Sequence, residues 1–172
     1  MKTTKKNSAK SISRTNLKKF VAADNIYSKN MGWIHLEMRA KKVYSINFQK
    51  GRVENRDDLD LKKLKASLIQ YCDTGLRRFN SVSIDWGRYT LFEKKILKAL
   101  YRRKTGRLLS YKELAVKGGV PKAARAVGRV MSKNRTPILI PCHYVVRSDG
   151  DLGGFSSGIL KKKKLLKVEN LL

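Results

Sequence analysis

The sequence is short of acidic residues, and this shortage narrows the kind of partner that the chain can have. Its 172 residues include 13 Asp and Glu against 40 Lys and Arg, which gives a formal net charge of +27. Such an excess is far more than solubility requires and indicates a polyanionic partner, with nucleic acid as the first candidate. A lysine-rich surface without a particular ligand is the alternative, and the charge alone does not choose between DNA and RNA.

Cysteines, histidines and long apolar runs are also scarce. The two cysteines, Cys72 and Cys142, are too few for a disulfide framework and lack the paired spacing of a zinc site. We therefore predict a reducing, intracellular location, cytoplasmic or nuclear if the source is eukaryotic, and no metal or other cofactor. No apolar run approaches the roughly 18 residues of a membrane-spanning helix, and the first residues lead into no signal peptide, so we expect no membrane partner.

Composition divides the chain into three predicted parts. Residues 1–22 contain seven Lys and Arg and no acid, which predicts a flexible basic arm that contacts DNA phosphates. An organelle transit peptide or a nuclear-import signal is the alternative for this segment. Residues 23–86 are predicted to form an N-terminal α/β domain, and residues 87–172 a mostly helical C-terminal domain.

Hydrophobic periodicity predicts the elements of the N-terminal part. Alternation over residues 33–48 predicts two antiparallel strands joined near residues 40–42, with Tyr44, Ile46 and Phe48 sharing one face of the second. Over residues 58–79 the apolar positions recur at intervals of three and four, which predicts a helix with one buried stripe. Cys72 lies on that stripe, and we interpret it as a core residue rather than a reactive thiol. Residues 82–86 predict one more short strand.

The C-terminal part has the pattern of short helices separated by glycine and proline. Residues 90–102 predict an amphipathic helix, and Ser110 is a candidate N-cap for a short second one. Gly118 and Gly119 end that second helix, and Pro121 suits the first turn of a third. This arrangement is typical of a helix-turn-helix, whose second helix meets DNA.

The predicted recognition helix has one apolar and one cationic face. Ala123, Val127 and Val130 would pack inward, while the cations on the other face are Lys122, Arg125 and Arg129. Small residues such as Ala123 and Ala124 would let the backbone approach a groove closely. A surface helix with solvated arginines fits the same pattern equally well.

A short apolar run between two prolines, residues 137–141, delivers Cys142 and His143 at its end. A nucleophilic cysteine must be a thiolate, and a neighbouring histidine, a helix terminus or a positive field lowers the thiol pKa. Because adjacent residues of a strand point to opposite sides, a working pair requires the backbone to turn after Pro141. From these residues alone, a structural cysteine is as well supported as a reactive one.

The end of the chain contains a Gly/Ser loop and a last helix. Residues 153–158 could close over a small ligand with hydroxyl donors at Ser156 and Ser157, and they lack the pattern of a nucleotide-triphosphate loop. A final helix is predicted over residues 159–168, with Lys161–Lys164 on its solvent side. Glu169 has the pattern of an exposed acid.

Taken in order, three segments closely resemble the C-terminal domain of the O6-alkylguanine-DNA alkyltransferases. They are residues 121–128 (PKAARAVG), residues 134–143 (NRTPILIPCH), and the loop 153–158 with the final helix. The resemblance covers about residues 89–170, and the N-terminal half is similar only in outline to the family's ribonuclease-H-like domain. It implies an α/β (α+β) fold with a winged-helix-like, helix-turn-helix C-terminal domain.

The resemblance implies direct and irreversible DNA repair. A flipped O6-alkylguanine, or O4-alkylthymine, would lose its alkyl group to Cys142, and each molecule would react once because a thioether has no hydrolytic exit. The recognition helix would enter the minor groove, with Arg125 replacing the extruded base. Glu169 stands at the family's spacing, 27 positions after Cys142, and would act through His143 and a water molecule.

Further residues acquire expected roles from the same resemblance. Tyr111 and Ser156 match hydroxyls that stabilise the departing guanine, and Asn134 matches a hinge asparagine. The carbonyls of Cys142 and Val145 match acceptors for the guanine amino group. The expected partner is double-stranded DNA bound by a monomer, with cooperative binding left open.

Three positions depart from the family's usual pattern. Tyr144 stands where arginine is common, which puts in doubt a contact between the domains. Phe155 replaces a frequent tyrosine and keeps an apolar wall for the pocket. Ser157 replaces a common glycine, so tolerance of bulky alkyl groups would differ.

Three rival functions remain for comparison. A relative that only binds alkylguanine would lack the cysteine, and a plain helix-turn-helix protein would not need Cys142, His143 and Glu169 together. A Cys-His hydrolase would need neither the recognition helix nor the +27 charge.

Overall fold

The structure is a computed structural model that describes residues 21–53, 58–79, 82–103 and 106–172. Residues 1–20 of the predicted basic arm lie outside these ranges. The first strand begins at Val21, so the predicted end of the arm at residue 22 is too late. The reason is that Ala22 pairs with Met38 of the next strand and is fully buried.

A three-stranded antiparallel sheet, in the order β1-β2-β3, forms the N-terminal layer. Its strands are β1 (Val21–Ser28), β2 (Gly32–Arg39) and β3 (Lys42–Asn47). The predicted β2–β3 pair is confirmed, and its two-residue turn is made by Ala40 and Lys41, both with positive φ.

The predicted face of β3 is wrong in detail. A register shift between Glu37 and Met38 places Val43 opposite Met38, and Val43 is buried with Ile46. Tyr44 is only half-buried. A bulge of this kind changes which side chains face the core, and strict alternation does not reveal it.

One helix, α1 (Leu59–Thr74), packs against β1. It starts at Asp58, whose carboxylate accepts from the Leu61 N–H at 2.9 Å. The predicted buried stripe, which includes Cys72, is confirmed. The helix stops earlier than predicted because Gly75 adopts a left-handed conformation (φ 72°) and donates to the Tyr71 carbonyl.

The short strand predicted over residues 82–86 is reduced to a single bridge. Ile84 pairs with Val43, and the Asp85 N–H donates to the Val43 carbonyl at 2.9 Å. The chain then turns away from the sheet in the 3₁₀ turn Trp86–Arg88. Residues 82–86 therefore do not form a strand of the sheet beyond this one bridge.

The C-terminal part is mostly helical, as predicted. Its helices are α2 (Leu91–Tyr101), α3 (Tyr111–Lys117), α4 (Ala124–Ser132) and α5 (Ile159–Val168). Thr90 and Ser110 cap α2 and α3 in capping boxes with Glu93 and Glu113, which confirms the cap predicted at Ser110. A short parallel pair, β4 (Leu109–Ser110) and β5 (Val145–Val146), lies beside α3.

Helix α4, the predicted recognition helix, begins later than predicted. Pro121 was expected in its first turn, but residues 121–122 form a turn and the helix starts at Ala124. The turn is closed by the Ala123 N–H, which donates to the Val120 carbonyl at 2.9 Å. Lys122 and Ala123 therefore precede the helix.

Helix α5 contacts both the N-terminal and the C-terminal part of the chain. It packs against α1 and against the turn at Cys142–Tyr144. Within the described ranges, none of the helices has the length and apolar character needed to cross a membrane.

Candidate active site

The backbone turns immediately after Pro141, as the Cys142/His143 pair requires. Residues Cys142–Tyr144 form a 3₁₀ turn in which the Tyr144 N–H donates to the Pro141 carbonyl at 3.0 Å. Upstream, Ile138 is buried with φ 73°, an unusual conformation for a β-branched residue that costs free energy. The surrounding fold therefore maintains a strained backbone conformation at Ile138, in the segment that leads to Cys142.

Asn134 ties this turn to the end of α4. Its side-chain nitrogen donates to the Ile140 carbonyl at 2.8 Å and to the Cys142 Sγ at 3.0 Å. Its oxygen accepts from the Thr136 N–H at 3.1 Å. The predicted hinge residue thus closes the loop between helix and cysteine and also directs a hydrogen-bond donor at the sulfur.

The Cys142 thiol is buried, with 5% of its surface exposed. Burial raises its pKa to about 11, and the Asn134 hydrogen bond and the nearby Lys162 charge act in the opposite direction. The thiol is therefore protonated at neutral pH in this environment. A nearby base must take its proton when it reacts.

Lys162 is a buried cation near Cys142 that sequence reasoning missed. It was predicted on the solvent side of the last helix but is fully buried, and its Nζ donates to the carbonyls of Val145 and Leu152. Burial lowers its pKa to about 8. A usable signal was its position three residues before the buried Leu165, on the same stripe of α5.

His143 and Glu169 form a buried pair. The His143 Nε2 lies 2.9 Å from the Glu169 Oε1, and both side chains are almost fully buried. Burial lowers the pKa of His143 although the Glu169 charge opposes this, so the imidazole is neutral at neutral pH. Its Nδ1 is buried without a hydrogen-bond partner among the described residues, which leaves that nitrogen available to accept a proton.

Glu169 looked like an exposed acid in the sequence, and its surroundings explain why it is not. The hydroxyls of Tyr71 and Tyr144 donate to its two oxygens, and the Arg77 guanidinium lies 3.9 Å away. Tyr71 and Arg77 belong to the N-terminal half of the chain and were not predicted as site residues. No short motif connects them with residue 169.

A cavity of about 290 Å³ opens at Cys142. Tyr111, Phe155 and Ser156 of the predicted site line it. Helix α4 supplies a further wall through Gly128, Met131 and Ser132. Ser157 was expected at the same pocket, but it lines a neighbouring cavity together with Ser156 and Asn134.

Tyr111 is placed as a hydrogen-bond donor in this cavity. Burial raises the pKa of its hydroxyl, which therefore keeps its proton. Gly153 permits this placement, because a Cβ there would lie 3.2 Å from the Tyr111 hydroxyl and the backbone φ is 65°. The loop that carries Phe155 and Ser156 can thus pass close to Tyr111.

The two carbonyls expected to bind the guanine amino group both accept hydrogen bonds from described residues near the cavity. The Cys142 carbonyl accepts from the Val145 N–H, and the Val145 carbonyl accepts from Lys162.

Helix α4 is amphipathic, as predicted. Val127 and Val130 are buried, whereas Arg125, Arg129 and the preceding Lys122 are exposed. Ala123 and Ala124 are half-buried. The cationic side of this helix is open to a large ligand.

One comparison with known proteins concerns the C-terminal half of the chain, and others cover most of its length. The family model for the 6-O-methylguanine DNA methyltransferase DNA-binding domain matches residues 91–171, which defines the class of the C-terminal half. The solved structure of the Mycobacterium tuberculosis OGT in complex with DNA covers 86% of this chain and 92% of that one, with a TM-score of 0.75 and 30% identity.

Curated relatives extend the similarity to most of the chain. The methylated-DNA–protein-cysteine methyltransferase of Kluyveromyces lactis is 34% identical over 152 residues, 88% of this chain and 75% of that protein. The protein of the same name from Homo sapiens is 51% identical over 75 residues, 44% of this chain and 35% of that protein. The chain belongs to the methylated-DNA–protein-cysteine methyltransferase family, and the predicted resemblance is confirmed.

Proposed function

We propose that the protein repairs DNA by moving the alkyl group of O6-alkylguanine onto the Cys142 Sγ, once per molecule. The observation that carries the proposal is the cavity that Cys142 shares with α4. One helix thus presents cations to solvent and lines the reaction pocket on its other side. A base rotated out of a duplex bound at α4 would arrive next to the sulfur.

The volume of the cavity suits one nucleobase rather than a large ligand. Sites for small molecules span about 300 to 1,000 Å³, and the cavity at Cys142 is about 290 Å³. Phe155 provides an apolar wall, and the Cys142 and Val145 carbonyls are the acceptors that the family resemblance implies for the amino group of guanine. O4-alkylthymine has the same alkyl–oxygen bond, and we include it in the proposal.

The proton of the thiol would pass to His143. Neutral imidazole has a free Nδ1 acceptor, and the Nε2 proton is directed to Glu169. A water molecule would carry the proton between Sγ and Nδ1, as the family resemblance implies. The resulting imidazolium is stabilised by the Glu169 carboxylate, while the Lys162 charge and Asn134 stabilise the thiolate.

The thiolate would then displace guanine from the alkyl carbon. The sulfur–carbon bond forms as the carbon–O6 bond breaks, and the electron pair leaves with the purine. The hydroxyls of Tyr111 and Ser156 donate to the departing base, and a proton taken up by the purine restores its neutral form. The thioether product blocks Cys142, so the reaction is stoichiometric.

Exposed cations on α4 would bind the duplex. Arg125 would enter the DNA double helix and occupy the position of the extruded base, while Lys122 and Arg129 would contact phosphates. Ala123 and Ala124 present little bulk to a minor groove. The net charge of +27 makes affinity fall steeply with salt.

The proposal is tested with a duplex that contains one O6-methylguanine, supplied in excess over the protein. We expect one equivalent of lesion to be consumed and intact mass to show one added methyl group. The Cys142→Ser variant should show neither. Turnover beyond one equivalent, or unmodified protein after incubation, would refute the proposal.

A further inference from the structure

Glu169 is held by more donors than its contact with His143 requires. Its Oε1 meets the Tyr71 hydroxyl as well as the His143 Nε2, and its Oε2 accepts from the Tyr144 hydroxyl. The two tyrosines come from separate parts of the chain, α1 and the turn after Cys142. Both are 0% exposed, so these hydrogen bonds form away from solvent.

The Tyr71 phenol remains a hydrogen-bond donor at neutral pH. Burial and the neighbouring Glu169 charge raise the pKa of Tyr71 well above its usual value, so the hydroxyl keeps its proton. A buried phenol that donates to a buried carboxylate forms a charge-assisted hydrogen bond, which is stronger than a neutral one. The two hydrogen bonds therefore fix the position of the carboxylate.

A cation–aromatic cluster supports this arrangement. The Arg77 guanidinium lies 5.9 Å from the Tyr71 ring centre and 5.8 Å from that of Tyr144. It also donates to the Leu139 carbonyl at 3.2 Å, in the segment that leads to Cys142. From the C-terminal part of the chain, the Arg103 guanidinium lies 5.3 Å from the Tyr144 ring centre. The rings of both tyrosines are thus held as well as their hydroxyls.

We propose that Tyr71 and Tyr144 are positioning residues for alkyl transfer, which hold Glu169 so that it fixes His143 with Nδ1 free for the Cys142 proton. This inference rests on the proposed function. It also makes the N-terminal half part of the reaction centre, because Tyr71 lies outside the 91–171 match to the DNA-binding family model. Tyr144 acts on the reaction only through Glu169, and it also contacts Arg77 of the N-terminal half.

The charge environment predicts how the pH dependence should change. The charged and titratable groups around the His143 imidazole are Glu169, Arg77, Lys162, Cys142, Tyr71 and Tyr144. The phenols share the negative charge of Glu169. Without them the carboxylate attracts the imidazole proton more strongly, so His143 is protonated at higher pH and less of it can act as a base.

The test compares Tyr71→Phe, Tyr144→Phe and the double variant with wild type. Tyr101→Phe is the matched control, because Tyr101 lies on α2 and is partly exposed. Single-turnover rates on an O6-methylguanine duplex are measured from pH 5 to pH 9, with DNA affinity measured separately. We expect about a tenfold slower rate for each single variant, unchanged DNA affinity, and an acid midpoint displaced to higher pH.

A double-variant cycle separates positioning from general support of the fold. In a Glu169→Gln background, the two phenylalanine substitutions should add less than about a twofold effect, since they act through the carboxylate. Should the double variant not fold, as judged by thermal unfolding, each single variant is tested in that background instead. Rates that fall by the same factor in both backgrounds, or an unmoved midpoint, would overturn the inference.

The outcome also distinguishes this inference from the proposed function. If wild type transfers one methyl group and the phenylalanine variants behave like Tyr101→Phe, the positioning role is wrong and the proposed function stands. If wild type transfers nothing, the proposed function fails and the inference fails with it.

Discussion

The two cysteines lie in regions that share one property and differ in most others. Cys72 is on α1 in the N-terminal half and Cys142 is at the C-terminal cavity, and burial raises the pKa of each thiol to about 11. Neither forms a disulfide. Low thiol pKa in the resting protein therefore does not distinguish the reactive cysteine from the structural one.

The difference lies in what surrounds each sulfur. Cys142 lines a cavity and has an amide donor at 3.0 Å, a buried lysine charge and an adjacent histidine that can accept a proton. Cys72 is 0% exposed among the apolar residues of α1 and the sheet, with the Ser28 side chain as its hydrogen-bond partner. Access and an available base make a buried thiol useful.

The largest effect on alkyl transfer should come from replacing one of the two cysteines and not the other. Cys142→Ser should abolish alkyl transfer because a hydroxyl is a far weaker nucleophile than a thiolate. Cys72→Ala should retain one equivalent of transfer, because Cys72 does not line the cavity at Cys142. The yield of repaired O6-methylguanine checks both variants, and transfer by Cys142→Ser would contradict the assignment of Cys142 as the nucleophile.

Removing the base should have the next largest effect. His143→Gln should slow single-turnover transfer by about 10²- to 10⁴-fold, the usual worth of a positioned general base. In wild type the His143 pKa is lowered by burial, so the rate should be level near pH 7 and should fall as the pH drops through that lowered value. A rate that stays level down to the lowest pH at which the protein remains folded would argue against His143 as the base.

Substitutions of Lys162 test whether the positive charge near Cys142 contributes to its reactivity. Lys162→Met removes a cation that lowers the thiol pKa, so transfer at pH 7 should slow by roughly tenfold, with partial recovery at higher pH. Lys162→Arg should keep more of the rate, and the exposed Lys163→Met should behave as wild type. Equal rates for the Met variants at positions 162 and 163 would contradict the electrostatic role.

Arg125 tests access to the cavity rather than the chemistry in it. Arg125→Ala should slow repair of a duplex by about tenfold, because base extrusion costs a few kcal/mol and this arginine would compensate part of it. The reaction with a free O6-alkylguanine base should change little. Arg129→Ala should reduce DNA affinity and its salt dependence without this contrast between duplex and free base.

The smallest effect on activity should come from Cys72→Ser. Its buried hydroxyl would replace an apolar sulfur, which should lower the free energy of unfolding by about 1 to 3 kcal/mol. Denaturant titration beside Cys72→Ala measures the cost, and the stoichiometry of methyl transfer should stay at one equivalent. Unchanged stability would show that the site around Cys72 is less tightly packed than its burial indicates.

Local patterns in the sequence sufficed for the helices and for the position of the Cys142/His143 pair after a turn, whereas the expected role of the pair came from the family resemblance. The cap at Ser110, apolar periodicity, and prolines on both sides of the 137–141 run are local signals, and the structure contains the corresponding elements. The later start of α4 and the shifted face of β3 were not predictable, because each depends on a turn or bulge set by tertiary hydrogen bonds.

The surroundings of the site depend on contacts that are distant in sequence. Tyr71 and Glu169 are 98 positions apart, and Lys162 reaches the Val145 carbonyl across a turn. Periodicity can place Lys162 on the buried stripe of α5, but it cannot say that two carbonyls will satisfy its charge. The electrostatic partners of the cysteine therefore required the folded chain.

Peptide mapping of the wild-type protein tests the difference between the two cysteines most directly. The protein, with both thiols intact, is incubated with excess O6-methylguanine duplex, digested and examined for methylated peptides. We predict one methyl group on Cys142, none on Cys72, and no further consumption of lesion. Methylation of Cys72, methylation of neither cysteine, or continued turnover would contradict the account.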